Sequence, residues 1–171
     1  MKLSHQVFIV THGDKHKGPN PGMTPEGFLQ VAALRNLIPE HPARVVCGTG
    51  KRHLDVAKAL SLDPDHVTPA VGGPESLEKI NDRPMVLLAD GTAFPREIYK
   101  TEDLGPAMEQ VLRQLPSRSV ICAGRPSMIA LGHGMTDETA KSAAVYKISV
   151  QDDDFIIMEM KPTGTAEQGT V

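Results

Sequence analysis

The chain of 171 residues has no tryptophan, two tyrosines and four phenylalanines, so aromatics make up only 4% of it. Stacking platforms for single-stranded nucleic acid need such side chains in number, and none is expected here. A net charge of −3 and a pI near 6.1 speak against a general binder of phosphate backbones. Net charge says nothing about a cleft, so a local basic pocket for a small anion stays compatible with it. Cysteine is scarce as well. Cys47 and Cys122 cannot build a disulfide scaffold, and each ends an apolar run that reads as a buried strand. They are expected to be reduced core thiols, as intracellular usage predicts. No run approaches the roughly 18 apolar residues of a membrane span. The opening Met1-Lys2-Leu3-Ser4-His5-Gln6 lacks the apolar stretch of a signal peptide. A cytosolic protein with neither a membrane nor a nucleic-acid partner is the expectation.

What the chain has in plenty is punctuation: 15 glycines and 14 prolines separate alternating strand-like and helix-like segments. Val7–Val10 is a short apolar run closed by Thr11-His12-Gly13-Asp14 and reads as a buried strand. Residues 14–23 are too rich in Gly and Pro for regular structure. Thr24 then suits an N-cap, Pro25 the first helical position and Glu26 the helix dipole. Phe28, Val31, Ala32, Leu34 and Leu37-Ile38 continue this helix until Pro39 and Pro42. Arg44–Cys47 predicts a second buried strand, Gly48-Thr49-Gly50 a tight turn, and Lys51–Leu60 a second helix. Residues 61–83 read as largely irregular, with a short strand at Val67-Thr68. Pro84–Ala89 predicts a strand ending at the turn pair Asp90-Gly91. Glu102–Leu115 has a helical apolar face, Ser119–Ala123 is a strong strand, and Ser127–Leu131 a short helix. Ala143–Val150 and Phe155–Met160 read as strands around Gln151-Asp152-Asp153-Asp154, an acidic run without the spaced ligands of a calcium loop.

Three strand-to-helix units in order predict an α/β fold: a three-layer sandwich with a mainly parallel central sheet, one domain over residues 1–161 and a polar tail at 162–171. In such sheets the ligand sits beyond the carboxyl ends of the strands. Three loops should therefore gather there: Thr11-His12-Gly13, Gly48-Thr49-Gly50-Lys51-Arg52 and Gly124-Arg125-Pro126. An imidazole held at a strand end can act as nucleophile, base or ligand. Gly13 lets the backbone approach closely. Free N–H groups at a helix start, with Lys51 and Arg52, make an anion site. It is not a Walker A loop, because Val45 stands at the first glycine position and Arg52 follows Lys51 in place of Ser or Thr.

Taken together, these segments resemble the histidine phosphatase superfamily, with its phosphoglycerate-mutase-like fold. The family carries Arg-His-Gly after its first strand; here Thr11-His12-Gly13 follows Val7-Phe8-Ile9-Val10. Its Leu-Thr-x-x-Gly-x-x-Gln is matched from Thr24 onward by Thr24-Pro25-Glu26-Gly27-Phe28-Leu29-Gln30. Its second strand leads to Ser-Pro-Leu-x-Arg with Thr-Ala beyond; here Gly48-Thr49-Gly50-Lys51-Arg52 is followed by Val56-Ala57. The resemblance implies that His12 attacks phosphorus, that Arg52 binds phosphoryl oxygens together with Gly13, Lys51 and Arg125, and that a carboxylate protonates the leaving group, Glu78 being favoured over Glu75. The family's first arginine is replaced by Thr11. Its second histidine aligns with Gly124, a loss that Arg125 or His133 could make good.

Two functions follow from this resemblance. One is a weak or specialised phosphatase with a phosphohistidine intermediate. The other is a non-catalytic protein that binds a phosphorylated small molecule or phosphoprotein. Neither implies a cofactor or a bound metal. A third reading, a metal-dependent hydrolase, would use the His12-x-Asp14-x-His16 spacing. The segment Arg83–Tyr99 is expected to lid the site. The sequence carries no signal for an oligomeric state.

Overall fold

Continuous apolar runs give each central strand two buried faces, and helices from both sides cover them. The structure, a computed structural model, describes residues 5–99 and 103–162. In chain order its elements are β1 (His5–Thr11), α1 (Pro25–Ala32), β2 (Val45–Cys47), α2 (Lys51–Ala59), β3 (His66–Val67), β4 (Ser76–Ile80), β5 (Arg83–Leu87), β6 (Ala93–Pro95), α3 (Leu104–Gln114), β7 (Ser119–Ala123), α4 (Arg125–Leu131), β8 (Val145–Val150) and β9 (Phe155–Met160). A six-stranded sheet runs in the order β3-β2-β7-β1-β8-β9. Its first four strands are parallel, whereas β8 pairs antiparallel with β1 and β9 antiparallel with β8.

Val10, Cys47 and Cys122 point to one side of this sheet, where Val31 of α1 and Val56 and Ala57 of α2 cover them. Val7, Ile9, Val46 and Ile121 point to the other, against Met108 and Leu112 of α3 and Met128 and Leu131 of α4. This is the expected three-layer α/β sandwich. Each aliphatic side chain buried in it stabilises the fold by about 1.5–3 kcal/mol before the entropy of ordering is counted. Cys47 and Cys122 are register partners on β2 and β7, both buried and both free thiols. Among the described residues, no helix is long and apolar enough to cross a membrane.

The structure departs from the expected elements in two places. The first helix stops at Ala32, and Arg35–Leu37 forms a separate 3-10 turn. Pro39 forces Ile38 into extended backbone at φ −118°, ψ 164°, so a regular α-helix cannot be carried up to it. Within residues 61–83, β3 is the expected short strand, placed one residue earlier, but β4 is not expected, and it pairs with β5 and β6 in a second, three-stranded antiparallel sheet. The hairpin between β4 and β5 turns through Asn81 and Asp82, both at positive φ (53° and 63°). That dipeptide suits a two-residue hairpin turn and is the signal the sequence reading passed over. Gln151–Asp154 closes the β8–β9 hairpin, as expected. Beyond Pro162, the expected polar tail lies outside the described residues.

Candidate active site

Thr11 is in register with Ala123, and Cys47 with Cys122, so β1, β2 and β7 end at one level and their following loops converge. The first of these loops is held by the segment Thr24–Gln30. Thr24 Oγ1 accepts the Gly27 N–H at 3.1 Å and starts α1. Gly27 lets α1 press against the loop: a Cβ there would lie 2.1 Å from the Asp14 carbonyl oxygen, and one on Gly13 would lie 2.6 Å from the Gly27 carbonyl oxygen. One turn later Gln30 grips Asp14 twice, accepting its N–H at 2.8 Å and donating to its carboxylate at 3.0 Å. The spacing Thr-x-x-Gly-x-x-Gln thus caps a helix, clears a close contact and fixes the residues just after His12.

His12 is 6% exposed and lies in a small cavity of about 60 Å³ lined by His12, Lys15, Arg52, Leu77, Arg125, Pro126 and Ser142. Its Nδ1 donates to the Gly13 carbonyl at 2.8 Å, which leaves the lone pair on Nε2. Burial pushes the imidazole down to about 4. The Gly13 carbonyl opposes this, while the positive charges of Arg52, Lys15 and Arg125 add to it. At neutral pH the ring is therefore an uncharged imidazole with a free lone pair, set among three cations.

Those cations are already engaged. Arg52 is 1% exposed and donates to the carbonyls of Gly73 (3.1 Å) and Glu75. Burial lowers its guanidinium to about 10, still far above neutrality, with Glu75 and Glu78 opposing the shift. Arg125 donates to the carbonyls of Ala140 and Asp137, the latter at 2.6 Å. Lys15 forms an ion pair with Glu78 of β4. A second cavity of about 270 Å³ opens beside the first, shares Leu77 and Arg125 with it, and is bounded by Glu78, Lys79, Pro84, Asp137 and Glu138. Of the expected lid segment, Pro84 reaches this outer cavity, and the Tyr99 hydroxyl is raised to about 12 by burial and by the nearby Glu75 carboxylate.

The remaining sequence candidates fall as follows. Thr11 does not enter the cavity. Its Oγ1 donates to the Lys141 carbonyl at 2.7 Å and accepts the Ala144 N–H at 3.0 Å, pinning the loop that carries Ser142. Lys51 is exposed and lies outside the cavity lining; its N–H is taken by Asn20 Oδ1 at 3.0 Å. His133 does not swing toward His12. It pairs with Asp154 at 2.8 Å and meets Phe155 edge-on in the β8–β9 hairpin, because α4 carries the chain away from the strand ends before position 133 is reached. The metal spacing is not realised. Asp14 is held by Gln30, His16 is exposed, and no group of three potential metal ligands gathers among the described residues.

Three residues at or next to the cavity carry no such signal in the sequence: Lys15, Ser142 and His53. Lys15 lies inside the His12–His16 stretch, whose spacing points only to metal ligation. Ser142 has no local signal, since its place depends on the Thr11 latch. His53, directly after Arg52, is fully buried with its ring centroid 6.2 Å from that of His12.

The sequence matches no family model and no curated protein. Solved structures do match the fold. TTHB049 from Thermus thermophilus superimposes with a TM-score of 0.61 at 12% identity, over 92% of this chain and 99% of that one. The mycobacterial glucosyl-3-phosphoglycerate phosphatase Rv2419c gives a TM-score of 0.59 at 10% identity, over 92% and 98%. The product of the open reading frame Rv3214 from Mycobacterium tuberculosis gives 0.57 at 16% identity, over 90% and 95%. At such identities the likeness speaks for the fold alone, and nearly complete coverage of both chains makes it a likeness of whole architecture. The chain has the phosphoglycerate-mutase-like α/β fold that these structures share.

Proposed function

We propose that the protein hydrolyses a phosphate monoester through a phosphohistidine on His12, as a slow or specialised phosphatase. The observation that carries this reading is the uncharged His12, with Nε2 unprotonated, in one small cavity with Lys15, Arg52 and Arg125. Phosphoryl transfer asks for little more than an aligned nucleophile and positive charge around dispersed negative charge. Nε2 attacks phosphorus, the P–O ester bond breaks, and the leaving oxygen takes a proton. Water then attacks the phosphohistidine and releases inorganic phosphate. Glu78 is our candidate to serve the leaving group, since it borders the outer cavity, as Asp137 and Glu138 also do, and alone of these is ion-paired with Lys15 of the inner cavity. It must first leave its ion pair with Lys15, which fits slow turnover. The substrate is a small phosphorylated molecule or a phosphoprotein side chain, whose non-phosphate part would occupy the outer cavity.

A second reading, phosphate binding without turnover, is favoured by a different observation. Thr11 spends its side chain on the Lys141 and Ala144 backbone, and both arginines spend theirs on carbonyls. Losing one oriented donor to the reacting group typically costs about 2.7–4 kcal/mol of transition-state stabilisation. The two readings separate on phosphate release from a panel of small phosphomonoesters. The phosphatase reading expects release above that of His12→Asn, with an acid limb of kcat/KM lying well below pH 6.5 because His12 stays neutral down to about 4. Saturable phosphate binding with release equal to that of His12→Asn would leave the binding reading alone.

A further inference from the structure

The His53 imidazole is 0% exposed, and neither ring nitrogen has a hydrogen-bond partner among the described residues. The Gly73 backbone favours its charged form slightly but does not reach hydrogen-bond geometry, and burial together with Arg52 and His12 holds the ring neutral. A neutral imidazole always carries one N–H, so a buried donor is left without an acceptor. Such orphans are rare in folded proteins and call for a reason.

The space around the ring is built for it. Four glycines line it, and a Cβ on any of them would press on the imidazole: Gly48 at 2.7 Å and Gly50 at 3.0 Å from Cδ2, Gly72 at 2.6 Å from Nε2, and Gly124 at 3.1 Å from Cε1. A leucine in ordinary surroundings would fill the same layer without stranding polar atoms. The cage lies directly behind the wall of the His12 cavity. The His12 ring is tilted by 55° against His53, Arg52 precedes it in the chain, and Gly124 leads into Arg125 and Pro126 of the cavity wall. The volume a side chain at position 124 would enter from β7 is filled by a ring arriving from α2.

We infer that His53 is a phosphate-binding residue of the His12 site: its ring N–H donates to an oxygen of the phosphoryl group bound there and so gains the partner it lacks in the free protein. This inference rests on the phosphate-monoester reading above. The four glycines then have a shared purpose, since each makes room for an imidazole that the strand end itself does not supply.

The test is a titration of the unmodified protein with inorganic phosphate and with orthovanadate, following the nitrogen-resolved imidazole signals of His12 and His53. Both sets of signals are expected to move together with one dissociation constant. His53→Leu should weaken phosphate binding about 10- to 100-fold, the range for a hydrogen bond to a charged group. The swap His53→Ala with Gly124→His, which returns a ring to the same space from β7, should recover part of it. If His12 responds while His53 does not, and His53→Leu binds phosphate as the unmodified protein does, the inference fails and the phosphate reading stands. If neither histidine responds, both fail. Should His53→Leu not fold, the titration of the unmodified protein decides alone.

Discussion

At the scale of single residues, the site sets an acid limit on stability. His12 titrates near 6.5 when unfolded and at about 4 when folded, so between those values the unfolded chain binds more protons. Its contribution is complete above pH 6.5 and is lost as pH falls toward 4, amounting to roughly 3 kcal/mol over that window. His53 acts in the same direction, because it too is held neutral by burial. Urea unfolding at pH 7 and at pH 4 should show a smaller loss of stability in His12→Gln than in the unmodified protein; an equal loss would mean that the buried ring is not neutral. Thr11 gives a second expectation at this scale. Thr11→Val leaves the Lys141 carbonyl and the Ala144 N–H without the partner Oγ1 supplied, and should cost about 1–3 kcal/mol in the same assay.

At the scale of elements, the loop after β1 depends on how closely α1 approaches it. Gly27→Ala would drive a methyl into the Asp14 carbonyl oxygen, a backbone atom that cannot swing aside. The expected result is a loss of about 1–3 kcal/mol by urea unfolding together with weaker phosphate binding, since the Asp14 end of the His12 loop must move. Unchanged stability and affinity would show that the contact does not hold the loop. This part of the molecule was readable in the sequence because each motif residue acts locally, with Thr24 capping the helix, Gly27 clearing the contact and Gln30 clamping the loop. The apolar runs of β1, β2 and β7 were equally plain, as both faces of each strand are buried. The second sheet was not, because β4 to β6 are short, half-exposed strands stabilised by pairing rather than by an apolar pattern. His53 was hidden for a related reason. Its glycine cage joins positions 48, 50, 72 and 124, and nothing local connects them.

At the scale of the whole molecule, a chain of net charge −3 concentrates three cations around one buried imidazole. The sheet order brings this about: β2, β7 and β1 lie side by side, so Arg52, Arg125 and His12 each sit just beyond a neighbouring strand end. The second sheet contributes Leu77 to the walls of both cavities and Glu78 to the outer one, leaving a small space of about 60 Å³ beside His12 and a wider one of about 270 Å³ outside it. On the proposed reading, the choice between turnover and simple binding rests on chemistry at one atom, His12 Nε2. The direct measurement is mass spectrometry of protein quenched at alkaline pH after mixing with a reactive phosphomonoester such as p-nitrophenyl phosphate. The account predicts an acid-labile phosphoryl group on His12, present in the unmodified protein and missing in His12→Asn. Release of inorganic phosphate with no phosphoryl group trapped on His12 at any quench time, or with undiminished release by His12→Asn, would contradict it.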